Sequence, residues 1–263
     1  MINICEKESI EGMKKILITG GPTNEPIDEV MKITNMSTGS LSTALGQLFH
    51  DAGYRVCLIL NNSVSTAKLP SSRDLSVIRI ENTDDMLQAI HRRSTEGDYG
   101  AVIHAAAVGD YRCDFSFFMK DLAEEIFRVK DTIESSAEIL DIMKDPLCKL
   151  RKDVKISSYH EDLTVKLTLT PKIIEHLREW FPSALLIGCK LLDGVQDTEL
   201  LEVARKLCVK NRMDYILAND LAKLRTGNTA RYPVSTDGYE GFKLDTAKDI
   251  FDFVDDRLKT AEK

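Results

Sequence analysis

Apolar runs and helical patterns alternate along most of this chain, and that alternation leaves few folds open to it. Residues 15–19, 54–60, 75–80 and 99–106 are short runs rich in Val, Ile and Leu, the pattern of strands buried on both faces. Helical patterns lie between them at 41–52, with Leu41, Leu45, Leu48 and Phe49 on one face, and at 84–93. Gly53 fits the stop of the first helix and Thr83 the N-cap of the second. The alternation returns with a strand at 185–190, a helix at 199–211, a strand at 214–218, a further strand at 239–244 and an amphipathic helix at 246–258. Strands buried on both faces and joined by helices form parallel sheets with right-handed crossovers. The fold class is therefore α/β, a doubly wound, Rossmann-like, mostly parallel sheet.

The middle of the chain departs from this order. Residues 110–150 are less regular, with an aromatic-rich stretch at 111–118 and a helix around 136–144. Residues 163–170 alternate apolar and polar side chains, which predicts a half-exposed strand paired outside the main parallel order. Pro171 then starts a helix running to residue 181, proline being well suited to a first helical position. The expected organisation is a polar N-terminal extension at 1–12 and a single domain at 13–263, with an insert at about 110–170. The extension reads as a frayed end or short leading helix of little functional weight.

A formal net charge of −7 argues against non-specific binding to nucleic acid or membranes, which needs a basic surface. The six cysteines include no CxxC pair, so a reduced, cytoplasmic protein without a zinc site is expected. No signal peptide is visible, and no apolar run reaches the roughly 18 residues of a membrane span.

The segment KKILITGGPTNEPIDEVMKITNMSTGS, residues 14–40, carries the strongest functional signal. Its strand runs straight into Gly20 and Gly21, yet a helical pattern begins only at Ser37-Thr38-Gly39-Ser40. Strand-to-helix connections are ordinarily about 2–6 residues long, so the excess length points to a site. Two glycines let backbone approach a ligand, and a helix start rich in Asn35, Ser37, Thr38 and Gly39 favours an anion site over an ordinary N-cap. Ala105, Ala106 and Ala107 end a strand in small side chains, which leaves room for a ligand. Asp110 is either a carboxylate at that rim or a solvated strand exit. His104, inside an apolar strand, reads as a satisfied core histidine. Lys155 is a phosphate contact or a solvated charge, and Asn219 with Asp220 a rim contact or a turn.

Nicotinamide binding fits less well. GxGxxG is absent, and Leu60-Asn61-Asn62 stands where a ribose-binding carboxylate belongs. Tyr239 and Lys243 form a Tyr-x3-Lys pair, which keeps a short-chain-type NAD(P)-dependent dehydrogenase as the alternative. No GxxxxGK[ST] phosphate loop occurs.

Six segments together resemble the phosphopantothenate–cysteine ligase family, most closely its stand-alone bacterial members: ITGGPTNEPID (18–28), ITNMSTG (33–39), AAVGDYR (106–112), VKIS (154–157), IGCKL (187–191) and DYILANDL (214–221). The resemblance implies a ligase of coenzyme A biosynthesis joining 4′-phosphopantothenate to L-cysteine, with CTP or ATP as co-substrate and Mg²⁺ accompanying the nucleotide. It implies an acyl-nucleotidyl intermediate, a homodimer and a flap in the inserted segment. By position it assigns Asn35 to the substrate carboxylate and the intermediate, and Lys155 to the nucleotide. Ala106, Ala107 and Asp110 match residues that hold phosphopantothenate, and Gly20, Gly21, Ser37, Thr38 and Gly39 the phosphate region. Gly188, Cys189 and Lys190 match a segment near the nucleotide, with Asn219 and Asp220 at its base-side rim. Three positions depart from the family: Met31 beside Lys32 replaces an arginine, KxKK is reduced to Lys155-Ile156-Ser157-Ser158, and Cys189 replaces a frequent phenylalanine. These departures motivate a second alternative, a nucleotide- or pantetheine-binding module without activity.

Overall fold

The structure, a computed structural model, describes residues 14–260; the expected extension at 1–12 lies outside them. The described residues form two compact units. The first comprises the described parts of Met1–Thr23, Met36–Val108 and Lys172–Lys263, and the second Asn24–Asn35 and Gly109–Pro171.

The first unit contains strand β1 (Lys15–Gly20), helix α1 (Ser40–Asp51), β4 (Arg55–Asn61), β5 (Leu75–Ile80), α2 (Thr83–Ser94) and β6 (Ala101–His104). After the second unit's segment come α5 (Leu177–Trp180), β9 (Leu185–Leu192), α6 (Asp197–Lys210), β10 (Tyr215–Asp220), α7 (Leu221–Arg225), β11 (Tyr232–Val234) and α8 (Ala247–Thr260). Its seven strands are ordered β11-β10-β9-β6-β1-β4-β5, all parallel except β11. Strand β1 shows why the sheet is central. Ile16 and Ile18 enter one core with Phe49 of α1 and Phe251 of α8, while Leu17 enters the other with Met86 of α2 and Leu200 of α6. All three β1 side chains are fully buried. Burying one such aliphatic side chain is worth about 1.5–3 kcal/mol.

The second unit begins with a short antiparallel hairpin, β2 (Asn24–Pro26) and β3 (Lys32–Thr34). It continues with β7 (Tyr111–Phe118), α3 (Met119–Arg128), α4 (Ser136–Lys144) and β8 (Leu163–Leu169). Strands β7 and β8 form an antiparallel pair outside the main sheet, as the alternation at 163–170 predicts. Phe115, Phe117 and Leu122 form its small core.

Several expectations need correction. The aromatic-rich stretch at 111–118 is a strand; a bulge between Cys113 and Phe115 shifts its register and breaks the two-residue period. The N-cap of α2 is Asn82, which accepts from the Asp85 amide at 2.9 Å in a capping box, while the Thr83 side chain turns inward to Thr23 at 3.1 Å. Residues 239–244 make only two isolated bridges, Val234 with Tyr239 and Arg231 with Leu244, and the strand is β11. Pro171 does not start a helix: a 3-10 turn spans Ile173–Glu175, and α5 is a single turn.

Candidate active site

Strand order in the main sheet reverses at β1: β4 and β5 follow on one side, and β6, β9 and β10 on the other. Connections leaving two such strands go to opposite faces and open a crevice at their carboxyl ends. Small residues stand at both exits of this switch point: β1 ends in Gly20 and is followed by Gly21, and β6 is followed by Ala105–Ala107. Ala107 N–H donates to Gly21 O at 2.9 Å and Thr23 N–H to Ala107 O at 3.4 Å, so the two exits run side by side. Gly20, Gly21, Ala106 and Ala107 are thereby brought together.

Helix α1 completes this corner. Ser42 Oγ donates to Thr19 O at 2.9 Å, and a Cβ added to Gly20 would lie 2.2 Å from that Oγ. The helix packs so closely on the strand end that only glycine fits. Gly39, the N-cap, adopts φ 68°, and a Cβ there would lie 2.7 Å from the Val64 side chain and 3.2 Å from Gly21 N. The helix start therefore sits against the Gly20–Gly21 turn. The N-cap Gly39 has no side chain to cap α1; before it, the Thr38 hydroxyl donates to Ser40 Oγ at 3.1 Å and accepts from the Ser40 amide at 3.4 Å. Ser37 is half-buried beside it. An uncapped helix N-terminus offers amide donors and the positive end of the helix dipole to an anion.

Beneath the crevice, Ala106 N–H donates to Thr19 Oγ1 at 3.2 Å, and Thr19 Oγ1 lies 2.8 Å from His104 Nδ1. A hydroxyl can accept and donate at once, so this chain satisfies the threonine and fixes the backbone at Ala106. Burial pushes the His104 imidazole down to about 4, which keeps it neutral at pH 7. It is a satisfied core histidine.

The remaining first-unit residues occupy β9 and β10. Gly188 is paired with His104 and Ile216, and its bare α-carbon faces the core side chains of Ile174 and Ile216. Cys189 is half-buried, its thiol pushed up to about 11 by burial, and so stays protonated at neutral pH. Lys190 pairs with Ala218, and Asn219 is buried at the end of β10. Asp220 accepts from four amides: Gly194 at 3.2 Å, Val195 at 3.0 Å, Ala222 at 2.7 Å and Lys223 at 3.3 Å. Burial works to raise its pKa, but these donors outweigh burial and hold the carboxyl below its ordinary range. Asp220 thus caps α7 and fixes the loop after β9.

Tyr239 packs beside Tyr232 of β11, with β10, β9 and β6 between that strand and β1. Lys243 pairs with Asp245 at 3.4 Å. Asn61, at the position a ribose carboxylate would hold, donates to Glu81 O at 3.0 Å and accepts from Ser63 N at 2.9 Å.

In the second unit, Asn35 follows β3 directly and is exposed, its carbonyl accepting from Thr34 Oγ1 at 3.3 Å. Asp110 is exposed, and its carbonyl accepts from Thr170 N at 3.0 Å. Lys155 is exposed, as are Met31 and Lys32 at the departure from the family pattern. Asp28 is the residue that sequence reasoning missed. It is 5% exposed, and its carboxylate accepts from Val30 N at 2.7 Å, Met31 N at 2.6 Å and Ile156 N at 2.8 Å. The amides of Met31 and Ile156 are the main cause of its lowered pKa. An aspartate bonding backbone two and three residues ahead is an Asx turn, and Asp28 after Pro26-Ile27 was its visible signal.

Among the described residues, no three His, Cys, Asp or Glu side chains gather as a metal cluster, and no helix is long and apolar enough to cross a membrane.

Comparison with known proteins follows the same lines. The model of the DNA/pantothenate metabolism flavoprotein C-terminal domain matches residues 12–141. The coenzyme A biosynthesis bifunctional protein CoaBC of Thermococcus kodakarensis is 32% identical over 221 residues, 84% of this chain and 44% of that protein. Its counterpart in Methanocaldococcus jannaschii is 26% identical over 220 residues, 80% of this chain and 41% of that protein. The chain thus spans less than half the length of these relatives. The crystal structure of the DNA/pantothenate metabolism flavoprotein from Streptococcus pneumoniae superposes with a TM-score of 0.76 at 31% identity, covering 94% of this chain and 99% of that one. With that identity over nearly the full length of both chains, and the same mostly parallel sheet, this chain belongs to the DNA/pantothenate metabolism flavoprotein C-terminal domain family.

Proposed function

We propose that the chain is a phosphopantothenate–cysteine ligase of coenzyme A biosynthesis, acting with CTP or ATP. The observation that carries this reading is the switch-point corner, where the Gly20–Gly21 turn, the uncapped start of α1 at Gly39, and Ala106 with Ala107 meet. It offers amide donors and open space where a phosphorylated ligand needs both. The names of the CoaBC relatives support the pathway.

A carboxylate is a poor electrophile. In this reading the phosphopantothenate carboxylate attacks the nucleotide α-phosphorus, and pyrophosphate leaves with the electrons of the broken P–O bond. The cysteine amine then attacks the acyl carbon, the nucleoside monophosphate leaves, and the amine loses a proton to give the amide. Asn35 donates to the carboxylate and steadies the anhydride, and Lys155 neutralises phosphate charge. Gly20, Gly21, Ser37, Thr38 and Gly39 cradle phosphate, while Ala106 and Ala107 leave room for the pantothenate chain. Positioning and charge stabilisation dominate chemistry of this type. Mg²⁺ arriving on the triphosphate and liganded by its oxygens would offset further phosphate charge. A homodimer is part of the reading, supported by the adjacent exposed apolar side chains Tyr111, Leu167 and Leu169 on β7 and β8. A cytoplasmic setting accords with the five free cysteines of the described residues.

The test is pyrophosphate release by the purified protein offered each of the four nucleoside triphosphates. Release from CTP or ATP that requires phosphopantothenate, followed by cysteine-dependent release of the monophosphate, is expected. No release with any nucleotide would sink the reading.

A further inference from the structure

We infer that Asp28 is a positioning residue, a buried clasp that holds the Lys155 segment and the hairpin leading to Asn35 in one arrangement; the inference rests on the ligase reading for what that arrangement serves. One carboxylate oxygen, Oδ1, closes the turn between β2 and β3 by accepting from Val30 and Met31 at 2.7 and 2.6 Å. The other, Oδ2, reaches 128 residues along the chain to the Ile156 amide at 2.8 Å. Strand β3 ends at Thr34, so the hairpin closed by Oδ1 delivers Asn35, and the amide held by Oδ2 belongs to the neighbour of Lys155.

The other ties of the segment around Ile156 lie toward its two ends: Lys152 Nζ donates to Cys113 O at 3.0 Å, and the His160 ring stacks on Phe118 at 4.5 Å. Residues 151–162 contain no helix or strand, and Val154, Lys155 and Tyr159 are exposed. Asp28 itself is nearly inaccessible. A buried carboxylate is retained where it is fully hydrogen-bonded, and here every bond goes to backbone. The arrangement demands acceptors at both oxygens. Asparagine has one acceptor oxygen and one amino group, so Asp28→Asn turns a donor toward either the Met31 side or Ile156. Lys155 adds to the selection of a carboxylate here, because its charge favours the ionised form.

The experiment compares Asp28→Asn, Ile156→Pro and Lys155→Ala with the unsubstituted protein. Ile156→Pro removes the amide that Oδ2 accepts from and leaves both turn bonds, so it reports on the clasp should Asp28→Asn fail to fold; Ile156→Ala, which keeps that amide, controls for the lost side chain. Amide exchange in a peptide covering 150–160 is expected to quicken at least tenfold in Asp28→Asn and Ile156→Pro, with peptides from β1 and β4 unchanged. Nucleotide-dependent pyrophosphate release is expected to fall about tenfold or more in both, with part of the loss recovered by Asp28→Glu. Unaltered exchange at 150–160 in both variants overturns the clasp. Faster exchange with full turnover, while Lys155→Ala is impaired, overturns the positioning role alone. Full turnover in Lys155→Ala overturns both the role and the assignment of Lys155. If the unsubstituted protein releases no pyrophosphate, the ligase reading fails, and the exchange data still decide the clasp.

Discussion

The two units of this chain are held together by different physics. The first buries whole strands: Ile16, Leu17 and Ile18 of β1 and Leu58, Ile59 and Leu60 of β4 are completely covered, split between two cores on opposite faces of the sheet. The second has one small cluster of three buried residues, Phe115, Phe117 and Leu122, and leaves Phe127, Leu147 and Tyr159 at 66, 91 and 95% exposure. What it has instead is a set of polar ties. Besides Asp28, Lys166 Nζ donates to Asp114 Oδ2 at 2.7 Å, and Glu125 accepts from the amides of Leu147 at 2.9 Å and Cys148 at 3.1 Å. Apolar burial is non-directional and distributed over many neighbours, whereas each polar tie depends on one geometry. A region of the second kind loosens tie by tie, at free energies below global unfolding.

The sharpest way to break this contrast is Phe117→Ala. Truncating a buried phenylalanine costs about 3–5 kcal/mol, and here it removes one of the three buried side chains of the cluster. Amide exchange should rise across β7 and β8 and stay unchanged in β1, β4 and β6. Uniform acceleration in both units would show that they share one cooperative transition.

Acid titration separates the units next. His104 is held neutral with a pKa near 4 against an ordinary 6.5, so the unfolded chain takes up the proton first as pH falls. Its stabilising contribution is complete above about pH 6.5 and is lost as pH drops toward 4, about 3 kcal/mol over that window at the usual conversion. The carboxyls of the second unit behave differently. Asp28 and Asp114 lie below 3.8 and Glu125 below 4.5, so their contributions survive until pH falls through those depressed values. His104→Gln should therefore flatten the denaturation midpoint between pH 6.5 and 4.5. A midpoint that still falls equally in the variant would exclude the histidine as the source.

The smallest effect belongs to Asp114→Asn. Its ion pair with Lys166 is more than one-third exposed on both sides, and such pairs contribute at most about 1 kcal/mol. Lys166 also covers the Phe115 ring at 4.8 Å, a contact the substitution leaves in place. A midpoint shift corresponding to several kcal/mol would show that the polar ties, rather than the aromatic pair, dominate the second unit.

The same division decided what could be read from the sequence. The parallel strands were legible because burial on both faces writes itself as continuous Val, Ile and Leu, and observed β4 and β5 fall within a residue or so of their expected limits. Strand β7 was hidden by its bulge, and α3 by its start, since Phe118 is extended and no side chain caps the helix. The hairpin at 24–34 was hidden by brevity, three residues per strand. At the candidate site, Gly20, Gly21 and Gly39 were legible because glycine marks close backbone approach. Gly188 carries the same mark for another reason, its packing against Ile216. Asp28 was illegible as a clasp because its third partner lies in a segment with no periodic pattern.

That third partner also sets a schedule for folding. The hairpin acquires its bond to Ile156 only after 128 more residues exist, whereas β1 finds β4 within about 40. Contacts closed over long stretches of chain carry the larger entropic cost and slow the search. On a growing chain, Asp28 Oδ1 can close its turn at once, but Oδ2 must wait until residue 156 has left the ribosome. The hairpin near the start of the chain thus gains its last bond after β1 and β4 are both available, and a nascent product cut short before residue 156 would carry the hairpin without its mate.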